Sequence, residues 1–250
     1  MKACFQKLAA AAATDVGKVR AQNEDTHLVD IEHGLFIVSD GMGGVQAGEV
    51  ASKVVVEVLP RMIEQRLAGL EKTGGQSLRK MLSKAIVELS GQLCSTSATQ
   101  PGLKGMGATL VLALIRGRCA CVAHMGDSRV YLFRNGKLTQ LTEDHSVVAL
   151  LLRRGDITPR QAETHPARSR ISRYIGMEGE AGPDVSTLML KVGDRLLLCT
   201  DGLTGMVADD SIRAILETKL DPKTACESLI EAANDAGGHD NITAVVLNCE

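Results

Sequence analysis

Four aspartates stand beside apolar runs. Asp40 follows FIVS (36–39), Asp201 follows RLLLCT (195–200), Asp127 follows CACVAHMG (119–126), and Asp240 precedes NITAVVL (241–247). One Asp-Gly after an apolar run is an ordinary turn signal, because both residues tolerate positive φ. Four acids flanking four strand-like segments raise a further reading, a shared metal site. Aspartates are hard oxygen donors of the kind that hold Mg²⁺ or Mn²⁺ octahedrally with water. Glycine beside Asp40 lets an ion approach the chain and take the Gly41 carbonyl as a ligand. Two such cations about 4 Å apart would clamp a bridging water, lower its pKa and stabilise in-line displacement at phosphorus. A phosphate site also needs a cation, and Arg20 in TDVGKVRAQNED (14–25) can grip phosphate bidentately. Glu24 and Asp25 follow it and read, from the residues alone, as a solvated face.

The elements that must position these groups are legible in outline. HLVDI (27–31) and GLFIVS (34–39) form a hairpin turned at 32–34, the second strand ending at the Gly-rich stretch. Residues 46–67 read as a helix that Pro60 kinks or divides. Residues 76–93 place Leu78, Leu82, Ala85, Ile86, Leu89 and Leu93 on one helical face, and 95–106 reads as a loop. Strands follow at 108–115, 118–125, 128–134 and 137–141, the last two joined by Asn135-Gly136, a strong hairpin signal. Short helices are expected at 144–154 and 159–163, strands at 185–190 and 194–200, helices at 209–218 and 222–235, and a closing strand at 242–248. Helices cluster among hairpin-joined strands, so the fold class is α+β with antiparallel sheets covered by helices. One domain is expected over 1–250, with a flap at about 145–170.

Composition narrows the function classes. The formal net charge is −2 with no basic block, so no nucleic-acid footprint is present. No apolar run reaches the length of a membrane span. MKACFQKLAAAAATDVG at the start mimics a signal peptide only faintly, because alanine is a poor apolar centre, and a cytoplasmic protein is expected. Seven scattered cysteines without CxxC spacing read as reduced core residues. There is no HExxH, no GxxxxGK[ST] and no GxSxG, which argues against a zinc protease, a P-loop and a serine hydrolase.

Seven stretches together resemble the metal-dependent protein serine/threonine phosphatases of the type 2C family. They are TDVGKVRAQNED (14–25), FIVSDGMGG (36–44), GMGATL (105–110), AHMGDSRVY (123–131), LTEDHS (141–146), LLLCTDGL (196–203) and GGHDNITAVV (237–246), in the family's order. The resemblance implies a four-layer α-β-β-α sandwich, two antiparallel sheets flanked by helix pairs, with two Mn²⁺ or Mg²⁺ ions at one end. It implies that Asp40 bridges both ions, that the Gly41 carbonyl holds one and Asp201 with Asp240 the other. Asp127 matches an acid that serves a third ion with Asp201, Arg20 the phosphate-binding arginine, and Glu24 and Asp25 acids that hold metal-bound water. It implies hydrolysis of phosphoserine and phosphothreonine on proteins by a metal-bridging hydroxide, opposing a serine/threonine kinase, by a monomer. Two alternatives stay open: a partner-switching phosphatase for one anti-sigma-antagonist-type substrate, and an inactive phosphatase-like binding module. The chain departs from the family pattern twice. DGMGG replaces DGHGG, and Met42 cannot donate a proton, leaving metal-bound water, His124 or His239 as proton sources. In HPARSRISRYIG (165–176) Ser169 stands where asparagine is common.

Overall fold

The computed structural model describes residues 8–43, 47–70, 74–179 and 181–250. Its strands are β1 (Leu8–Asp15), β2 (Asp25–Asp30), β3 (Leu35–Met42), β4 (Gly107–Ala108), β5 (Leu110–Arg116), β6 (Cys119–Met125), β7 (Arg129–Arg134), β8 (Lys137–Gln140), β9 (Asp184–Met189), β10 (Arg195–Cys199) and β11 (Ile242–Cys249). Its helices are α1 (Ala47–Ala68), α2 (Gly75–Thr99), α3 (Val147–Arg154), α4 (Pro159–Glu163), α5 (Asp201–Thr204), α6 (Asp209–Thr218) and α7 (Pro222–Asp235). One sheet runs β1-β11-β10-β7-β8 and the other β2-β3-β5-β6-β9, with β4 added beside β3. Every paired strand is antiparallel.

Alternation along the strands splits the apolar residues into three layers. Phe36, Val38, Val111, Val122, Val130, Leu196, Leu198 and Val245 pack between the sheets. Leu35 and Ile37 face outward against α1 and α2, which bury Ala51, Val55, Leu59, Leu82, Ile86 and Leu89 on the same cluster. On the opposite outer face Tyr131, Leu197, Cys199 and Val246 meet Ile212 and Leu216 of α6 and Cys226 and Leu229 of α7. The result is the α-β-β-α sandwich. The 144–175 region carries α3 and α4 and is closed at its base by a Ser146–Ile171 bridge.

Several expectations change. β3 does not stop at Ser39: it runs on through Asp40, Gly41 and Met42, because Gly41 and Met42 pair with Ala108 and Gly107 of β4. Pro60 does not divide α1, which is one helix over Ala47–Ala68. α2 extends to Thr99, so the first part of the expected 95–106 loop is helical. The alanine run, for which no element is expected, is a strand: Leu8–Asp15 pairs along its full length with β11. Alanine is a weak strand former, and cross-strand pairing overrides that preference. Asn135 and Gly136 both have positive φ, as a type I′ hairpin turn requires. Among the described residues six cysteines are free, and four of them are buried; Cys4 lies outside the described residues, as do residues 44–46 beyond β3. Among the described residues no helix is long and apolar enough to cross a membrane.

Candidate active site

Asp40 sits on β3 directly opposite Asp25 on β2. Like charges facing across a strand pair are destabilising, so this register calls for a compensating charge. Asp40 is fixed through its backbone: its N–H donates to Thr109 Oγ1 at 2.9 Å and its carbonyl accepts from Thr109 N–H at 2.8 Å. Ser128 Oγ bonds the same Thr109 hydroxyl at 2.7 Å, and Ser39 Oγ donates to the Thr109 carbonyl. Asp25 is buried, and its Oδ2 accepts from the hydroxyls of Thr243 (2.7 Å) and Thr200 (2.9 Å). Asp201 begins α5 immediately after β10, Asp127 lies in the β6–β7 turn, and Asp240 lies just ahead of β11.

These acids act on one another. Burial pushes the Asp40 carboxyl well above its ordinary range, and the charges of Asp25, Asp201, Asp127 and Asp240 push it further. Burial likewise raises Asp25 to about 7 and Asp127 to about 7, and, with the charge of Asp240, raises Asp201 to about 6. Among the described residues, Asp25 Oδ1, Asp127 Oδ1 and Asp201 Oδ1 are buried without a hydrogen-bond partner. Buried carboxylate oxygens that lack donors and feel one another's charge fit hard divalent cations, whose charge would offset both the burial and the repulsion. The donor set of carboxylates and a carbonyl suits Mn²⁺ or Mg²⁺ and not a thiolate-seeking metal.

Arg20 is the cation that reaches this cluster from the β1–β2 connection. Its guanidinium donates to Asp240 Oδ2 at 2.8 Å and also feels Asp40 and Glu24. Glu24 and Asp25 are not the solvated run that their spacing suggests. Asp25 is inside, and Glu24 is held by its backbone N–H to Asn241 Oδ1 (2.8 Å), with burial raising its pKa. Gly41 has a stronger reason to be glycine than ion access: a Cβ there would lie 2.0 Å from the Gly48 carbonyl oxygen at the start of α1. Backbone contact between β3 and α1 therefore fixes where the Gly41 carbonyl sits. His124 is buried, stacks on His145 at 4.4 Å and bonds the Glu143 carbonyl, while His239 is exposed. Neither is placed among the acids by any contact.

A cavity of about 560 Å³ opens beside the cluster, lined by Asp127 and Asp201, by Arg129 and Asp144, and on the flap side by Leu152 and Arg168. Arg129 and Asp144 neutralise one another through paired bonds of 2.9 and 2.7 Å. Sequence reasoning missed the hydroxyl scaffold of Thr109, Ser128, Thr200 and Thr243 and the bracket Asn241. Asn241 holds the 14–25 segment through bonds to Val16 O, Gln22 O and Glu24 N. Ser128, Thr200 and Asn241 adjoin Asp127, Asp201 and Asp240 in sequence, but Thr109 and Thr243 adjoin none of the acids, and isolated threonines in strands are common.

Comparison with known proteins identifies the family. Residues 18–236 match the Protein phosphatase 2C family. The chain is 38% identical over 237 residues to the serine/threonine phosphatase stp of Listeria monocytogenes, covering 94% of this chain and 93% of that one. It is 40% identical over 239 residues to the serine/threonine protein phosphatase PstP of Mycobacterium tuberculosis, covering 95% of this chain but 44% of that longer protein. Its structure resembles the PstP catalytic domain solved in complex with two manganese ions (TM-score 0.83, 36% identity, 96% and 97% of the two chains). It also resembles Stp1 from Staphylococcus aureus (TM-score 0.88, 32% identity, 100% and 98%). The chain belongs to the protein phosphatase 2C family, the metal-dependent serine/threonine protein phosphatases.

Proposed function

We propose that Asp40, Asp201, Asp240 and the Gly41 carbonyl hold two divalent ions, Mn²⁺ or Mg²⁺, with Asp127 and Asp201 serving a third. The observation that carries this reading is the set of orphaned, buried oxygens on Asp25, Asp127 and Asp201 around the strongly raised Asp40. When bound, the ions supply Lewis acidity and an activated water for in-line displacement at phosphorus. The chain's own residues do the rest. Thr109 fixes the Asp40 backbone, so that its carboxylate is preorganised. Arg20 exchanges part of its bond to Asp240 for the incoming phosphoryl oxygens, which its planar fork matches. Asp25, oriented by Thr200 and Thr243, accepts a hydrogen bond from water in the site through Oδ1. Met42 has no proton to give, His124 is committed to the Glu143 carbonyl and His239 lies exposed on the surface, so the leaving serine or threonine oxygen takes its proton from water in the site.

The substrates are phosphoproteins. We assign the enzyme to a cytoplasmic pathway in which it opposes a serine/threonine kinase, acting as a monomer through one catalytic domain whose flap meets the substrate. Phosphate release from a phosphothreonine peptide, measured with Mn²⁺ and with EDTA for wild type and Asp201→Asn, tests the site. Release that needs Mn²⁺ and is lost in the variant is expected. Full activity in Asp201→Asn would remove the ion-binding assignment.

A further inference from the structure

His145 has no part in the reading above, yet it is tied on every side. Its backbone N–H donates to the Gly126 carbonyl at 2.9 Å, and the Gly126 N–H donates back to its Nδ1 at 3.2 Å. Because Nδ1 accepts, the proton of the neutral ring sits on Nε2, which lies 3.1 Å from Asp184 Oδ2. Burial and then neighbouring His124 push the His145 pKa down to about 4, so the ring is neutral and keeps this tautomer. Its carbonyl accepts from Ser172 N–H at 2.7 Å, which joins the entering and leaving legs of the flap. Asp184, at the start of edge strand β9, is gripped in turn by Arg173 through bonds of 3.2 and 3.0 Å.

His124, His145 and Asp184 place one ligand atom each within 4.8 Å of one another. An ion there is the poorer reading. The guanidinium of Arg173 already supplies the positive charge to Asp184, and both His145 nitrogens are engaged.

The chain of contact runs onward to the acids. Gly126 has φ of +117°, and a Cβ on it would lie 2.7 Å from Thr109 Cβ, so it is wedged against the residue that fixes Asp40. Asp127 is its immediate neighbour. We infer that His145 is a positioning residue: it clasps the base of the flap to the Gly126–Asp127 turn, and the exposed Asp184–Arg173 pair holds the clasp closed from outside. Close packing on both sides of Gly126 makes this a physical connection and not only proximity. The clasp couples flap placement to the Asp127 turn and to the Asp40 end of β3, and only the kinetic part of its test rests on the phosphatase reading.

Asp184→Ala tests it without touching the acids, and its side chain is 54% exposed, so the fold should tolerate the change. Hydrogen exchange by mass spectrometry is the primary readout. Opening the clasp should speed exchange about tenfold at Gly126–Ser128 and at the 145–147 and 170–173 legs, with β10 and β11 unchanged. The Michaelis constant for a phosphothreonine peptide should rise several-fold, while kcat for p-nitrophenyl phosphate stays within about twofold. Asp184→Asn, whose Oδ1 still accepts from Nε2–H, should restore slow exchange at Gly126. Faster exchange confined to the flap legs, with Gly126–Ser128 unmoved, overturns the coupling. Loosening spread equally into β10 and β11 overturns the positioning role in favour of general stability. An inactive wild type would count against the phosphatase reading alone and leave exchange to decide the clasp.

Discussion

Asp25→Asn should stabilise the ion-free protein while damaging its ion binding. Burial is the main reason that the Asp25 carboxyl is raised from 3.8 to about 7; the charges of Asp201 and Asp240 add to it, and the Thr243 and Thr200 hydroxyls only partly oppose it. A shift of about three units corresponds to roughly 4 kcal/mol of penalty for holding the charge above that pKa. An asparagine escapes the charge penalty but still buries an amide that must find partners, which returns part of the gain. The net expectation is about 2 kcal/mol, or a rise of about 4–8 °C in Tm for a chain of this size. The sign follows from the direction of the shift. A carboxyl raised on folding contributes its full stability below the unfolded pKa and loses it as pH climbs through the folded one. The advantage of asparagine should therefore grow between about pH 4 and pH 7 and then level off. Thermal unfolding in EDTA followed by circular dichroism, across that range, measures it. An unchanged or lower Tm for Asp25→Asn near pH 7.5, or a gain just as large near pH 4, would refute the reasoning that the acid cluster is strained without ions.

Ions should reverse the same strain: Mn²⁺ should raise the wild-type Tm more near pH 7.5 than near pH 5, where protons compete for the raised carboxylates, and equal shifts would count against it. Gly41→Ala should cost at least about 2 kcal/mol in urea unfolding, because its Cβ falls 2.0 Å from the Gly48 carbonyl and backbone must move. Thr243→Val should cost about 1–3 kcal/mol in the same assay, since it strips Asp25 Oδ2 of its 2.7 Å donor. Arg20→Ala should raise the phosphopeptide Michaelis constant at least about tenfold while Mn²⁺ binding, followed by calorimetry, persists.

Local chemistry and chain order carried much of this protein. Hydrophobic periodicity placed the core of α2, Asn135-Gly136 announced the β7–β8 hairpin, and the Asp-bearing motifs singled out Asp40, Asp127, Asp201 and Asp240 as candidates. These are properties of neighbours in sequence, so the sequence contains them. Long-range pairing is different. An alanine run became a strand only because β11 lay beside it, and β3 ran through Asp40 only because β4 came to meet it. Asp25 looked like one of two solvated acids until Thr200 and Thr243, 175 and 218 residues away, closed over it. The bridge from Asp184 through His145 to Gly126 likewise joins segments whose meeting no local pattern signals. Residue type sets which groups are able to bind a metal or a phosphate. Which of them are stripped of water, set against like charge and left with an unpaired oxygen is decided by the packing of distant strands.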